Sequence, residues 1–304
     1  MILTRAASLV FVVFIGAEVV SAEAAVRRIW AVNDGEKVER DDRQHPARAG
    51  NSAWDGRRVR VFAARNEIVA VQMIVEADGR GITRLTLALP DLRAASGDRI
   101  IYRPPALDPT ESVDRPIQIF AEHYMYVATA SHADWIYTRD SPAAPRDPTG
   151  WKPVQLVPEH ARSDRGGLPI GVRPNENQAI WIEIYTGRDR PAGTYRGTIT
   201  VNADGRLHRL PIELELFDFT LPDENSIHAM VYYESSQPER YHGRNLDAAY
   251  HRLAHRHRIE LVHAYNERSV ETAAGRFSGE DFTRALGYQG PGEGVGNVIV
   301  PISF

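Results

Sequence analysis

The segment "RLHRLPIELELFDF", residues 206–219, alternates in hydropathy with a period of two. Leu210, Ile212, Leu214 and Leu216 fall on one side of an extended chain, while Glu213 and Glu215 fall on the other. Successive side chains of a β-strand point to opposite faces, so this pattern buries one face and wets the other. The same signature runs from about Val26 to Phe219. In "QAIWIEIYTG", Ile180, Ile182 and Ile184 alternate with Trp181, Glu183 and Tyr185. In "GTYRGTITV", Tyr195, Ile199 and Val201 share a face, and Asp204-Gly205 supplies a tight turn into the next strand. Further strands are expected at Arg58–Phe62, Ile68–Val75, Leu85–Leu89 and Ile117–Val127. One-sided alternation broken by Pro and Gly clusters implies antiparallel sheets packed face to face, a β-sandwich over residues 25–222. Residues 134–174, rich in Pro, Gly, Asp and Arg, read as a long surface excursion.

The period changes after "FTLPDENS". Asn245 is placed to cap a helix, and Leu246, Ala249, Tyr250, Leu253, Ala254 and His257 then recur at helical spacing. Short apolar runs, "IHAMVYY" and "IELVHAY", flank it, which is the order of a βαβ unit with parallel strands. Ser278 and Asp281 suit a capping box for a short helix ending at Gly287, and Asn297–Phe304 reads as a further strand. Residues 223–304 therefore read as two to three βα units. The expected fold class is a mainly β N-terminal sandwich followed by an incomplete α/β portion of the TIM-barrel type.

Composition narrows the chemistry. The formal charge is −4 with acidic and basic residues intermixed, which argues against nucleic acid as a partner. There is no cysteine, so thiol catalysis and thiolate metal sites are excluded. Lys37 and Lys152 are the only lysines, leaving none for Schiff-base chemistry downstream. At the N-terminus, Arg5 precedes an apolar run from Ala6 to Ala17, and Ala22-Glu23-Ala24 fits a cleavage site. The run is shorter than the roughly 20 residues a membrane span needs. Residues 1–24 are accordingly expected to be a signal peptide, the mature chain exported to the periplasm or beyond, and no membrane association to remain after cleavage.

Four stretches together, "VFAARNEIVAVQMIVEA", "NQAIWIEIYTGRDRPAGTYRGTITV", "LPIELELFDFTLPDENS" and "SGEDFTRALGYQGPGEGVGNVIVPISF", resemble bacterial proteins of the glycoside hydrolase 123-like group. The resemblance implies a sandwich preceding a (β/α)8 barrel, and activity on N-acetylated amino-sugars with the substrate's own acetamido group as nucleophile. An adjacent Asp-Glu pair on a later barrel strand would orient that group and donate the proton. On this reading the chain ends within the third barrel strand, the catalytic pair lies beyond residue 304, and the chain by itself is inactive.

Asp223-Glu224 matches the pair by type but follows Pro222 in a linker, whereas barrel carboxylates sit at strand ends, so no catalytic role is assigned to it. Glu280-Asp281 suits the first turn of a helix. His251 and His255 have the spacing of a helical zinc site, but Arg252 replaces the glutamate of that motif and both rings fall opposite the apolar stripe, so no metal is assigned. "GPGEGVGN" precedes a strand and reads as a tight structural loop instead of a phosphate cradle. No cofactor is implied. Sugar contacts are placed by position at the ends of the first two barrel strands: Tyr233 and Glu234 after one, His263, Tyr265 and Asn266 after the other. Tyr232 and Glu267 lie beside them, and Trp135, Tyr137 and Trp151 read as loop anchors. The alternative class is a non-catalytic exported carbohydrate-binding or surface module whose sandwich does the binding.

Overall fold

The alternating segment at 206–219 forms most of the longest strand of the molecule, β12 (Arg206–Thr220), and its aliphatic face is buried as the period requires. The computed structural model describes residues 25–105, 112, 114–129, 141–142, 149–224, 226, 230–234, 236–263 and 282–295. The preceding strands are β1 (Val26–Asn33), β2 (Val59–Arg65), β3 (Glu67–Ala77), β4 (Ile82–Ala88), β5 (Asp91–Ala94) and β6 (Arg99–Ile101). They continue through β7 (Ile117–Val127), β8 (Gly150–Pro158), β9 (Ile170–Val172), β10 (Asn177–Thr186) and β11 (Gly193–Ala203). One sheet runs β1-β3-β10-β7-β8 and the other β2-β12-β11-β4-β9, with β5 joining β11 and β6 joining β5. Ile180, Ile182 and Ile184 of the first sheet and Ile212, Leu214 and Leu216 of the second share one buried core.

Within the two sandwich sheets the pairing is antiparallel except between β2 and β12, which run parallel. Pro211 is tolerated within β12 because its partner on that side begins one residue later, with Ile212 opposite Val59. The β11–β12 hairpin turns at Asp204-Gly205, both at positive φ (51° and 92°), as that dipeptide favours. β8 contains Pro153 and Pro158, and it lies at the edge of its sheet. Part of the expected surface excursion is thus sheet, and Trp151 belongs to β8, packed on Tyr126 (5.3 Å between centroids) under the Arg40 guanidinium.

The first sheet is covered on its outer face as well, so β3 is a nearly continuous buried run. Over β1 and β3 lies the 34–58 segment. There Gln72 donates to the carbonyls of Asn33 and Glu36, and fully buried Glu76 accepts from Trp30 Nε1 (2.9 Å) and Arg48 Nε (2.6 Å). The remainder of that face, around Gln118 and Glu183, is met by the C-terminal region.

That region corrects the sequence expectation. Almost all the described secondary structure is β, and no helix-rich TIM-type barrel is present among the described residues. One βαβ arrangement does form: β13 (Met230–Tyr233) pairs in parallel with β14 (Glu260–His263), with α1 (Ser236–His242) and α2 (Asp247–Arg256) between them. Two four-residue strands make a ribbon of their own, joined to neither sandwich sheet. Instead of the helix expected to end at Gly287, the described residues hold a short 3-10 turn, Arg284–Leu286, which Gly287 closes at φ 80°. Residues 1–24, Ser278, Glu280, Asp281 and Asn297–Phe304 lie outside the described residues, as do Trp135 and Tyr137.

The orientation of α2 is inverted relative to expectation. Leu253 and Tyr250 of its apolar stripe are exposed, whereas His251, His255 and Arg256 are buried against the rest of the chain. Helical periodicity fixes which residues share a face but not which face is covered. Here the polar face wins because buried partners await it. The N-cap position is Leu246, one residue later than expected, and Asn245 just ahead of it accepts from the Asp247 N–H at 2.8 Å.

Candidate functional site

An open cleft of about 410 Å³ lies where the C-terminal region meets one end of the sandwich. The sandwich supplies Arg99 and Ile101 of β6, Arg103 just after it, Asp114 and Pro116 ahead of β7, Tyr185 of β10, and Gly187 and Arg190 of the turn into β11. The opposite wall is Arg284, Gln289, Gly290 and Glu293.

Most of these groups are held in place. Arg190 donates to Asp98 (2.8 Å) and to the Arg99 carbonyl (2.9 Å), while Arg65 donates to the Arg190 carbonyl (2.7 Å). Burial alone would raise the Asp98 carboxyl, but the Tyr195 hydroxyl and Arg190 outweigh it and hold it below the usual carboxylate range. Arg99 pairs with Asp91, which also accepts from Arg93 (2.9 Å). Burial raises Asp91 too, and the two guanidiniums more than reverse this. Arg284 pairs with Glu293 at 3.0 Å, and Gln289 Nε2 donates to Asp114 at 2.9 Å across the cleft mouth. The Tyr185 hydroxyl donates to Asn66 at 3.0 Å, and burial first, then Asp223 and Glu293, raises its pKa.

The wall contributed by residues 282–293 is fixed from behind. His255 places Nδ1 3.0 Å from Glu260 Oε1 and Nε2 3.0 Å from the Gly292 carbonyl. The Gly292 carbonyl can only accept, so Nε2 carries a proton, and the bond between Nδ1 and Glu260 fixes the ring from its other side. Phe282 stacks on the ring at 3.6 Å between centroids. Gly292 is at φ 80°, and a Cβ there would come within 2.3 Å of His255 Nε2, so the loop needs glycine on both counts. The tight structural loop expected at residues 290–297 is thus present over its described part, and glycine serves close approach to a histidine. Asp223 completes the seam: it accepts from Asn66 (2.7 Å), from the Gly292 N–H (3.1 Å) and from Arg188. That is a linking role for the pair to which no catalysis was assigned.

Of the sugar contacts placed by position, Tyr233 and Glu234 are not among the residues that line this cleft. Tyr233 packs beside Tyr250 (5.8 Å) and edge-on to His251 (5.3 Å). Glu234 accepts from the hydroxyl and N–H of Ser236 at the start of α1. The backbone of His263 lies opposite Tyr233 in the parallel ladder, while Tyr265, Asn266 and Glu267 are outside the described residues. The cleft residues themselves carried no sequence motif. They come from five separate places in the chain, and only the fold assembles them. Among the described residues no three His, Cys, Asp or Glu side chains form a group able to hold a metal, and no helix is long and apolar enough to cross a membrane.

Two other features stand apart. On the outer face of the second sheet, Phe62, Phe217 and Phe219 form an exposed aromatic cluster, with Phe217 and Phe219 stacked at 5.9 Å. On β7, Glu122 is buried with no partner for Oε1, and burial pushes its carboxyl up to about 7.

No protein-family model matches the chain, and no curated protein matches it. Among solved structures, its fold is similar to a family 123 glycoside hydrolase from Clostridium perfringens, studied for glycolipid glycan hydrolysis. The TM-score is 0.52 at 15% identity over 71% of this chain. The chain spans 32% of that enzyme's length. Looser matches include the CooA pilin subunit of enterotoxigenic Escherichia coli (TM-score 0.24, 11% identity, 54% of this chain and 90% of that one). Another is AvmM, which catalyses macrocyclization in alchivemycin A biosynthesis (TM-score 0.25, 11% identity, 53% and 87%). The class defined is therefore a β-rich fold shared in part with a glycoside hydrolase.

Proposed function

We propose that the chain is the glycan-handling portion of an exported carbohydrate-active protein, and that the cleft between sandwich and C-terminal region receives the sugar. The observation that carries this is the cleft itself: an open 410 Å³ recess walled by guanidiniums, an amide, a tyrosine and carboxylates, on a fold similar to that of a glycan hydrolase. Sugars present many hydroxyls, and fixed planar polar groups satisfy them with little loss of side-chain freedom.

The described residues serve binding and not the hydrolytic step. The cleft carboxylates are each engaged by a neighbour, Glu293 by Arg284 and Asp114 by Gln289. The test pairs two measurements on the 304-residue chain. Calorimetry against neutral and charged oligosaccharides, including N-acetylated amino-sugars, is expected to show binding that falls at least tenfold in Gln289→Ala. Chromogenic N-acetylhexosaminides are expected to remain uncleaved. Turnover abolished by changing a cleft carboxylate would overturn the division of roles.

The aromatic cluster supports a second reading, in which the sandwich face binds sugar by stacking. Phe217→Ala would then abolish binding while Gln289→Ala left it intact.

A further inference from the structure

Resting on that reading of the cleft, we infer that its ligand is an acidic sugar, one carrying a carboxylate or sulfate, held through Arg103. The chain as a whole is acidic, with formal charge −4. Yet four of the lining side chains are guanidiniums and two are carboxylates. Three of the four have partners: Arg284 has Glu293, Arg190 has Asp98, and Arg99 has Asp91. Asp91 is shared with Arg93, so one carboxylate there faces two guanidiniums. Asp114 is engaged by the Gln289 amide, which is neutral.

Arg103 remains. Its carbonyl accepts from buried Arg115 at 3.0 Å, which fixes its backbone, while its side chain has no ion-pair partner among the described residues. A guanidinium with a fixed backbone at the edge of a recess, beside others already neutralised, offers a two-pronged site for two oxygens of an anionic group. The neutralised arginines and Gln289 keep hydrogen-bond donors for the hydroxyls around it. Among the described residues Asp114 is the other cleft charge without an ion-pair partner; a neutral sugar adds no counter-charge for Arg103, whereas an acidic one supplies it directly.

The experiment measures binding of acidic oligosaccharides bearing uronate, sialate or sulfate, each beside its methyl-esterified or desulfated neutral counterpart. Sodium acetate and sodium sulfate are run as plain anions. The acidic forms are expected to bind at least tenfold more tightly, with the advantage shrinking as salt rises. Arg103→Gln, an exposed change that leaves the core intact, is expected to remove most of that advantage, and Arg103→Lys to restore part of it. Equal binding of acidic and neutral forms would overturn the inference while leaving the cleft a sugar site. A preference for acidic forms unchanged in Arg103→Gln would overturn the assignment to this residue. Plain anions binding as tightly as the sugars would remove sugar from the proposal. Failure of every glycan to bind would remove the carbohydrate reading and this one with it.

Discussion

The sandwich and the C-terminal region are held together by opposite means. In the sandwich, strands of up to 15 residues pair across long sequence separations and bury an aliphatic core drawn from both sheets. From Met230 onward, the two strands have four residues each, the longer helix exposes Leu253 and Tyr250, and the polar groups His251, His255, Arg256 and Glu260 are buried beside Phe282 and Tyr288. Attachment to the sandwich is made by directed bonds. Arg258 donates to the carbonyls of Asn66 and Pro222 (3.0 Å each), Asp223 accepts from Gly292, and Arg256 lies against Gln118 with the amide oriented so that its oxygen accepts. Hydrophobic burial is non-directional and sums over area, whereas a polar seam depends on every member being present. The cleft lies on that seam, so ligand binding reports on the weaker half of the molecule.

The largest effect should come from the stronger half. Ile182→Ala removes a fully buried side chain at the centre of the first sheet, where neighbours on both strands prevent collapse. The expected loss is about 4 kcal/mol, with unfolding of the whole sandwich visible in the calorimetric melt. Next is Glu260→Gln, which keeps the shape of the side chain but alters its buried hydrogen bond with His255. Leaving a buried polar partner poorly satisfied costs up to about 3 kcal/mol. Hydrogen exchange is expected to place this loss in residues 282–292 while the sandwich melt stays where it was. A melt that fell with it would mean the two regions unfold as one unit.

This contrast also marks what could be read from sequence. β7 is found where expected, and β3, β10, β11 and β12 lie within a few residues of it, because burial of one face imposes a period that survives any partner. β5, β6 and β9 escaped notice because three or four residues cannot display a period, and β8 because Pro153 and Pro158 disguise an edge strand. The barrel expectation extended one real βαβ arrangement, β13 to β14, into a closed architecture that the described residues do not form. The burial of His255 depends on Glu260 and Gly292, 5 and 37 residues away, and no local pattern announces it. The cleft was invisible for the same reason: Arg103, Arg190 and Gln289 are neighbours only through the fold.

Glu122 tests whether the sandwich hides a polar weakness of its own. Its carboxyl titrates near 7 because burial disfavours the anion, and no cation compensates. A folded value above the unfolded one means the protonated form is favoured by folding. The associated stability is intact below the ordinary glutamate range and is lost as pH rises through about 7. Glu122→Gln should therefore match the parent at pH 4 and exceed it by at most about 3 kcal/mol at pH 8.5. The buried Tyr124 hydroxyl is the near neighbour that feels the Glu122 charge. Equal stabilities at both pH values would show that water reaches the carboxylate and that this sheet face is open.

The smallest effect sits where the two regions join. Asn66 occupies the single residue between β2 and β3, where the chain passes from one sheet to the other at φ 60°. Its side-chain amide donates to the Leu221 carbonyl (3.0 Å) and to Asp223 (2.7 Å), its oxygen accepts from Tyr185, and its carbonyl accepts from Arg258. Asn66→Gly keeps the left-handed backbone and the Arg258 bond but removes the side-chain contacts; Asn66→Ala removes the same contacts and adds backbone strain. The alanine variant should be less stable than the glycine variant by about 1 kcal/mol, a difference that belongs to the sandwich turn alone. What the two variants share belongs to the seam, because Asp223 loses the same partner in both and it is Asp223 that holds the Gly292 N–H. Faster exchange at Gly292 in both, to the same extent, would separate the bond that joins the regions from the turn that joins the sheets. Faster exchange in the alanine variant only would mean that the turn, and not the amide, positions the cleft wall.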